Sequence, residues 1–509
     1  MPTSISRRGL LLAAAFQRRR PNLLFVIADD QSWLHAGAYG DRLVRTPAFD
    51  RIASEGVLFT HSFSASPSCT PSRSSVLTGR HQWQTGEGGV LYGTLPKQIP
   101  LFPHLLADAG YFTGFTGKGW GPGDWQAGGL ARHPIGREFN SRRHASPAPE
   151  GIDARDYAAN FEEFLAGRPR EAPFFFWLGS TEPHRVYDRG AGLRSGKRIA
   201  DVRVPAFLPD TPEIRSDLLD YYAEIEWYDR QLARALVALE KTGEIENTVI
   251  VVTSDNGMPF PRAKVNLYDY GVRMPLAIRW GERVKGGRTI DEFVSHVDLA
   301  PTLLEAAGLP PPAGTSGRSL LPLLDGKTDP SRDAAFTALE RHTMCRPGGS
   351  TYPMRAIRSR RYLYIRNFAP DRWPTGGPEF VSSNLTYHGD VDGCPTKDFM
   401  VAPENRKRFA AQYELCFGKR PAEEFYDVAA DPGQVRNLAS DPASRSEVAR
   451  HRTRLESFLR RSGDPRMEGR DPWQSYVYRQ TSGYGASFNR ALPEEERSKA
   501  AALGAHKPE

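Results

Sequence analysis

The run Cys69-Thr70-Pro71-Ser72-Arg73, continued to Gly79 and Arg80, places a thiol, a proline and an arginine within five residues. Proline is tolerated in the first turn of a helix, where its missing N–H had no partner in any case. The amino end of such a helix presents unpaired N–H groups that attract an anion. Arg73 then falls one turn in, where its planar fork can hold a nucleophile or an anionic oxygen. A buried cysteine at a helix start is the plainer reading of Cys69. Oxygen donors come in two further pairs: Asp29 and Asp30 close one apolar run, and Asp255 and Asn256 close another. Hard oxygens of this kind suit calcium or magnesium rather than a soft metal. An Asp pair alone is read as a helix cap or loop carboxylate; two such pairs in one chain with the Cys69 motif favour a metal site.

The elements that must position these groups follow from the apolar pattern. Residues 22–28, 173–179 and 247–253 are short, nearly continuous apolar runs, each delivering polar residues at its carboxyl end, as buried parallel strands do. Helical periodicity between them marks residues 47–54, 101–109, 157–165 and about 215–241. Alternating strands and helices predict an α/β fold with a large, mostly parallel central sheet flanked by helices. In such sheets ligands bind beyond the carboxyl ends of the strands. After about residue 335 the alternation fades: residues 354–367 read as strand, about 444–459 as a late helix, and 369–378 as a Gly/Pro-rich surface segment. The division predicted is 1–20 as an export signal and linker, 21–335 as a catalytic domain, and 336–509 as a smaller C-terminal α/β subdomain with its tail.

Bulk properties narrow the classes further. The chain has 509 residues, 39% hydrophobic and 25% charged, ordinary globular values. Its formal charge of +7 owes much to Arg7, Arg8, Arg18, Arg19 and Arg20, so it is no argument for a nucleic-acid partner. Arg7 and Arg8 precede a short apolar stretch ending near Phe16, the pattern of a twin-arginine export signal, and predict a periplasmic or secreted protein. That stretch is too short for a membrane span, which needs roughly 20 residues. The four cysteines form no CxxC pair, which speaks against zinc. Cys345, Cys394 and Cys416 could supply one disulfide in an oxidising compartment.

The window from Cys69 to Arg80 resembles the full signature of the type I sulfatases, CxPSRxxxLTGR, which belong to the alkaline phosphatase superfamily. That resemblance implies an alkaline-phosphatase-like sandwich and conversion of Cys69 to formylglycine by a formylglycine-generating enzyme. The aldehyde hydrate carries two hydroxyls on one carbon, one to attack sulfur and one to expel sulfate later. By the same resemblance Asp29, Asp30, Asp255, Asn256 and position 69 hold one calcium ion. Lys118 in Gly117-Lys118-Gly119 corresponds to the family's active-site lysine. His184 in Thr181-Glu182-Pro183-His184 corresponds to a histidine near the leaving group, where it could donate a proton. Lys264 resembles a second cationic contact to sulfate. Many sulfatases place a histidine two positions after the lysine, and here Trp120 stands there.

Segments 204–232, 253–271, 352–357 and 471–474 are similar to the heparan N-sulfatase branch, the sulfamidases acting on N-sulfoglucosamine. This implies a sulfated carbohydrate substrate, with His342 and Arg355 as candidates for contacting the sugar or a neighbouring acid. Agreement weakens over residues 119–155 and 375–420, which are expected to hold loops around the pocket entrance. A homodimer is one assembly allowed for. Three rival readings are weighed: an O-sulfatase for another sulfated sugar or an aryl sulfate, a phosphate or phosphonate ester hydrolase of the same superfamily, and a non-catalytic sulfated-glycan binder. The binder should have lost a nucleophile or a metal ligand.

Overall fold

A computed structural model describes residues 20–145, 148–382 and 386–480. The twin-arginine pair lies outside the described residues. Eight strands form the main sheet: β1 Asn22–Ala28, β2 Val57–Phe63, β3 Phe112–Gly117, β4 Arg137–Glu138, β5 Phe174–Gly179, β6 Thr248–Ser254, β7 Leu276–Arg279 and β8 Arg288–Ser295. Their order is β4-β3-β5-β1-β6-β7-β2-β8. β3, β5, β1 and β6 run parallel as neighbours, and only β7 is antiparallel to its partners.

β1 shows why its sequence is apolar without alternation. Leu23, Phe25 and Ile27 pack into one core with Val76, Leu77, Phe102 and Leu303. Leu24, Val26 and Ala28 point the other way, against Phe161, Leu232 and Leu236. Successive side chains face opposite sides of a strand, so a sheet covered by helices on both faces needs apolar residues at every position. Burying each such side chain contributes about 1.5–3 kcal/mol. The longest helix, Pro212–Lys241, starts with Pro212 behind Thr211, whose hydroxyl accepts from the Ile214 N–H at 3.5 Å. Helix Tyr157–Gly167 is capped by Asp156, which accepts from the Ala159 N–H at 3.0 Å.

A second, antiparallel sheet has the order β12-β11-β10-β9, with β9 Ala334–Leu339, β10 Met354–Ser359, β11 Tyr362–Asn367 and β12 Glu423–Asp427. Residues 354–367, read from sequence as one strand-like stretch, are thus a hairpin. Helix Arg445–Arg461 covers this sheet through Val448, Leu455 and Leu459. The segment 369–378 departs from its reading as surface: Pro374 to Gly377 are buried, and Arg346 donates to the Trp373 and Pro374 carbonyls. Cys345, Cys394 and Cys416 are free, buried thiols. Among the described residues no helix is long and apolar enough to cross a membrane.

Candidate active site

Four adjacent parallel strands end level with one another: Ile27 and Gly117 both pair with Gly179, and Ala28 pairs with Ser254. The next residues of each chain segment therefore converge. β1 delivers Asp29 and Asp30, β6 delivers Asp255 and Asn256, β3 delivers Lys118, and the turn after β5 delivers His184. Asp30 takes φ 72°, a left-handed conformation unusual for a residue with a Cβ, and its N–H donates to Asp255 Oδ1 at 3.1 Å. The fifth contribution is the helix Cys69–Thr78, buried over its whole length and ended by Gly79 at φ 66°.

Cys69 opens this helix, and its thiol donates to Asp29 Oδ1 at 3.5 Å. Burial pushes the thiol up, out of the range where an unassisted thiolate forms at neutral pH. Arg73, fully buried one turn later, donates from Nε to Asp255 Oδ2 at 2.8 Å. Its Nη1 donates to the Lys118 and Gly119 carbonyls at 2.9 and 2.8 Å. Lys118 Nζ meets Asp29 Oδ2 at 2.5 Å, and Lys264 Nζ bridges Asp30 Oδ2 at 2.8 Å and Asp392 Oδ2 at 2.9 Å. Burial opposes ionisation of Asp29, yet Lys118, His184, Arg73 and Lys264 outweigh it and hold that carboxyl well below the usual range. Asp255 goes the other way: burial, with Asp29 and Asp30 adding to it, pushes it up against the pull of Arg73 and Lys118. Burial works against the charge on Lys264, but Asp30 and Asp392 keep the ammonium well above its ordinary range. Asp392 in turn is held low, chiefly by Lys264 working against burial.

The donor set fits a hard divalent cation. Asp29, Cys69 and Asp255 offer ligand atoms within 4.8 Å of one another. Asn256 donates from Nδ2 to Asp30 Oδ1 at 2.6 Å, while its Oδ1 is buried with no hydrogen-bond partner. A buried amide oxygen without a donor, beside three carboxylates, is what an oxygen-seeking cation satisfies.

A cavity of about 290 Å³ opens onto this corner, walled by Cys69, Lys118, His184, Lys264, His342 and Asp392 among others. His184 Nδ1 lies 2.7 Å from the Arg185 carbonyl, which can only accept. Nδ1 therefore carries the proton, and Nε2 is the atom that stands 3.8 Å from Asp30 Oδ2. His342 reaches the wall from the second sheet's side, its Nδ1 2.8 Å from Ser68 Oγ, and burial lowers its pKa to about 4. Trp120 also lines the cavity, donating its indole N–H to Ser74 Oγ at 2.9 Å. An indole only donates, so it cannot take the proton a histidine there would take.

Arg355 is not among the cavity-lining residues. It is fully buried and paired with Glu340 at 2.7 Å and Asp464 at 2.5 Å, so of its two expected partners it has the acids and not the sugar. Asp392 and Arg155 do line the cavity and were missed. For Asp392 a signal was available: an acid in the glycine-flanked turn Gly389-Asp390-Val391-Asp392-Gly393, within the stretch expected to form the pocket entrance.

Comparison with known proteins gives a consistent set. A family model described as Sulfatase matches residues 21–309, and one described as N-sulphoglucosamine sulphohydrolase, C-terminal, matches residues 263–374. Human N-sulphoglucosamine sulphohydrolase is 28% identical over 511 residues, covering 91% of this chain and 94% of that protein. An ulvan-active sulfatase of Formosa agariphila is also 28% identical, over 87% of this chain and 81% of its own. Among solved structures, a protein in complex with its substrate D-glucosamine-2-N,6-O-disulfate shares the fold with TM-score 0.64 and 21% identity, over 89% of this chain and 100% of that one. A phosphonate monoester hydrolase from Silicibacter pomeroyi does so with TM-score 0.61 and 20% identity, over 87% and 96%.

Proposed function

The chain belongs to the sulfatase family, and on that premise we propose that it is a sulfamidase, a hydrolase releasing inorganic sulfate from N-sulfoglucosamine of heparan- or heparin-type glycans. The observation that carries this reading is the likeness to human N-sulphoglucosamine sulphohydrolase along nearly the whole of both chains. The match to that enzyme's C-terminal model spans Lys264 and His342, two walls of the same cavity.

Calcium held by Asp29, Asp30, Asp255 and the Asn256 amide oxygen would supply positive charge beside the sulfate, and the hydrated aldehyde made from Cys69 would supply the attacking oxygen. The chain's own groups do the rest. Arg73 fixes Asp255 and the Lys118 backbone, and so sets the geometry around position 69. Lys118 and Lys264, each a compact charge on the cavity wall, hold sulfate oxygens and gather the negative charge that shifts as the bond to sulfur breaks. His184, with its Nδ1–H tied to a carbonyl, has Nε2 left to take up a second proton, and as the imidazolium it delivers that proton to the leaving nitrogen. An amine leaves poorly without that proton, which makes His184 more important for a sulfamate than for an aryl sulfate. Residues 1–20 serve as the export signal, which makes the working compartment the periplasm or beyond.

Two measurements on protein from its native host test this reading together. The tryptic peptide spanning Cys69 should be about 18 Da lighter than its thiol form, as an aldehyde in place of a thiol requires. Sulfate should appear from N-sulfoglucosamine and not from O-sulfated glucosamine or an aryl sulfate. Release from the O-sulfated sugar alone would make the protein an O-sulfatase, turnover of a phosphonate monoester alone would favour the phosphonate hydrolases that share this fold, and an inert, unmodified thiol would leave a glycan-binding protein.

A further inference from the structure

A cavity built for a sulfated anion should be lined by cations, and Lys118, Arg155 and Lys264 line this one. Asp392 is the exception, the single carboxylate among the described lining residues. It contributes no atom to the corner formed by Asp29, Asp255 and position 69. Its position does suggest a role: an oxygen of Asp392, a ring nitrogen of His184 and an oxygen of Asp30 lie within 4.8 Å of one another. The carboxylate stands beside the group that hands a proton to the leaving atom. Lys264 engages only Oδ2, and among the described residues Asp392 Oδ1 has no hydrogen-bond partner.

We propose that Asp392 recognises the nitrogen of the substrate, accepting the sulfamate N–H and then holding the released amine as its ammonium, and that it thereby selects N-sulfated over O-sulfated sugars. This rests on the sulfamidase reading above. The chemistry discriminates at both ends of the reaction. A sulfamate nitrogen carries a hydrogen that a carboxylate can accept, whereas a sulfate ester oxygen carries none and would face the carboxylate lone pair to lone pair. When the S–N bond breaks, sulfur leaves on the attacking oxygen and the electron pair stays on nitrogen. His184 supplies one proton to give the neutral amine, and water supplies a second to give the ammonium at neutral pH. The leaving group has then gained a positive charge beside Asp392, while an O-sulfate would leave only a neutral hydroxyl. A charge-assisted bond of this kind is roughly twice as strong as a neutral one.

The test reads binding by calorimetry on protein whose Cys69 remains a thiol, so it does not depend on maturation. Wild type should bind glucosamine more tightly than N-acetylglucosamine, and Asp392→Asn should weaken glucosamine about tenfold, the equivalent of about 1.4 kcal/mol. N-Acetylglucosamine and inorganic sulfate should keep their affinities in the variant. Asp392→Ser supplies a second test should the asparagine variant fold poorly. Equal loss for both sugars would overturn the proposal. So would a matching loss for sulfate, since Asp392 would then only be holding Lys264 in place. Failure of the substrate reading looks different: wild type would turn over O-sulfated sugars alone. If wild type hydrolyses N-sulfoglucosamine and Asp392→Asn leaves glucosamine binding intact, only the inference about Asp392 falls.

Discussion

Arg73 shows how much one side chain can organise. It is fully buried, and three of its hydrogen bonds reach the Asp255 carboxylate and two carbonyls on the far side of the site. A lysine keeps the charge but is a point donor, unable to span a carboxylate and two carbonyls at once. Arg73→Lys is therefore expected to leave buried acceptors without donors, at a cost of about 2–4 kcal/mol. Sulfate release should fall by at least about a hundredfold in kcat/KM, because the geometry around position 69 loosens, and the melting temperature should fall with it. A variant with wild-type melting and unchanged kcat/KM would remove Arg73 from both roles. Arg73 was legible in the sequence because its spacing from Cys69 is helical. Arg355 was not: its partners Glu340 and Asp464 lie 15 and 109 residues away, and a strand pattern does not say what covers its outer face.

At the scale of elements, the turn after β5 has to present His184 while burying a glutamate two residues earlier. Glu182 accepts from the Asp153 N–H at 2.8 Å and the Tyr157 hydroxyl at 2.9 Å, but burial outweighs both bonds and raises its pKa to about 7. An unfolded glutamate releases its proton near 4.5, so between that value and about 7 the folded protein binds the extra proton and stability falls as pH rises. The full cost, on the order of 3 kcal/mol, is present only above pH 7. Glu182→Gln should therefore raise the melting temperature at pH 8 and leave it almost unchanged at pH 4.5. An equal gain at both pH values would mean that the charge is not what the turn resists. The strands that carry these turns were the most legible part of the sequence, since a strand buried on both faces must be apolar throughout and its polar end then stands out. The boundary inside residues 354–367 was not, because a hairpin's two arms share one composition.

For the whole molecule, the consequence of the fold is that groups from both sheets converge on one cavity. The first sheet supplies Asp29, Lys118, His184 and Asp255; His342 and Asp392 come from beyond β9, and His342 meets Ser68 across 274 positions of sequence. Convergence over such distances does not show in local sequence: the glycine-flanked turn marks Asp392 as a loop acid but not as a partner of Lys264, whereas Asp29 and Asp30 stand out at the end of an apolar strand. It also means that a cation in the corner braces several remote segments at once. Asp29, Asp30 and Asp255 are drawn together mainly by Arg73, Lys118 and Lys264, with the Asn256 oxygen unsatisfied. A divalent ion that binds the folded chain and not the unfolded one adds about 2.7 kcal/mol when present at a hundred times its Kd. Chelation of the purified protein should accordingly lower its melting temperature, and calcium should restore it more fully than magnesium, whose small octahedral shell dehydrates reluctantly. Asp255→Asn will have a lower baseline of its own, since it breaks the pair with Arg73, so the informative quantity is the calcium-dependent increment, which should vanish. If wild type melts at the same temperature with chelator and with calcium, the acids of this corner are held by Arg73, Lys118 and Lys264 alone, and calcium has no part in the folded state.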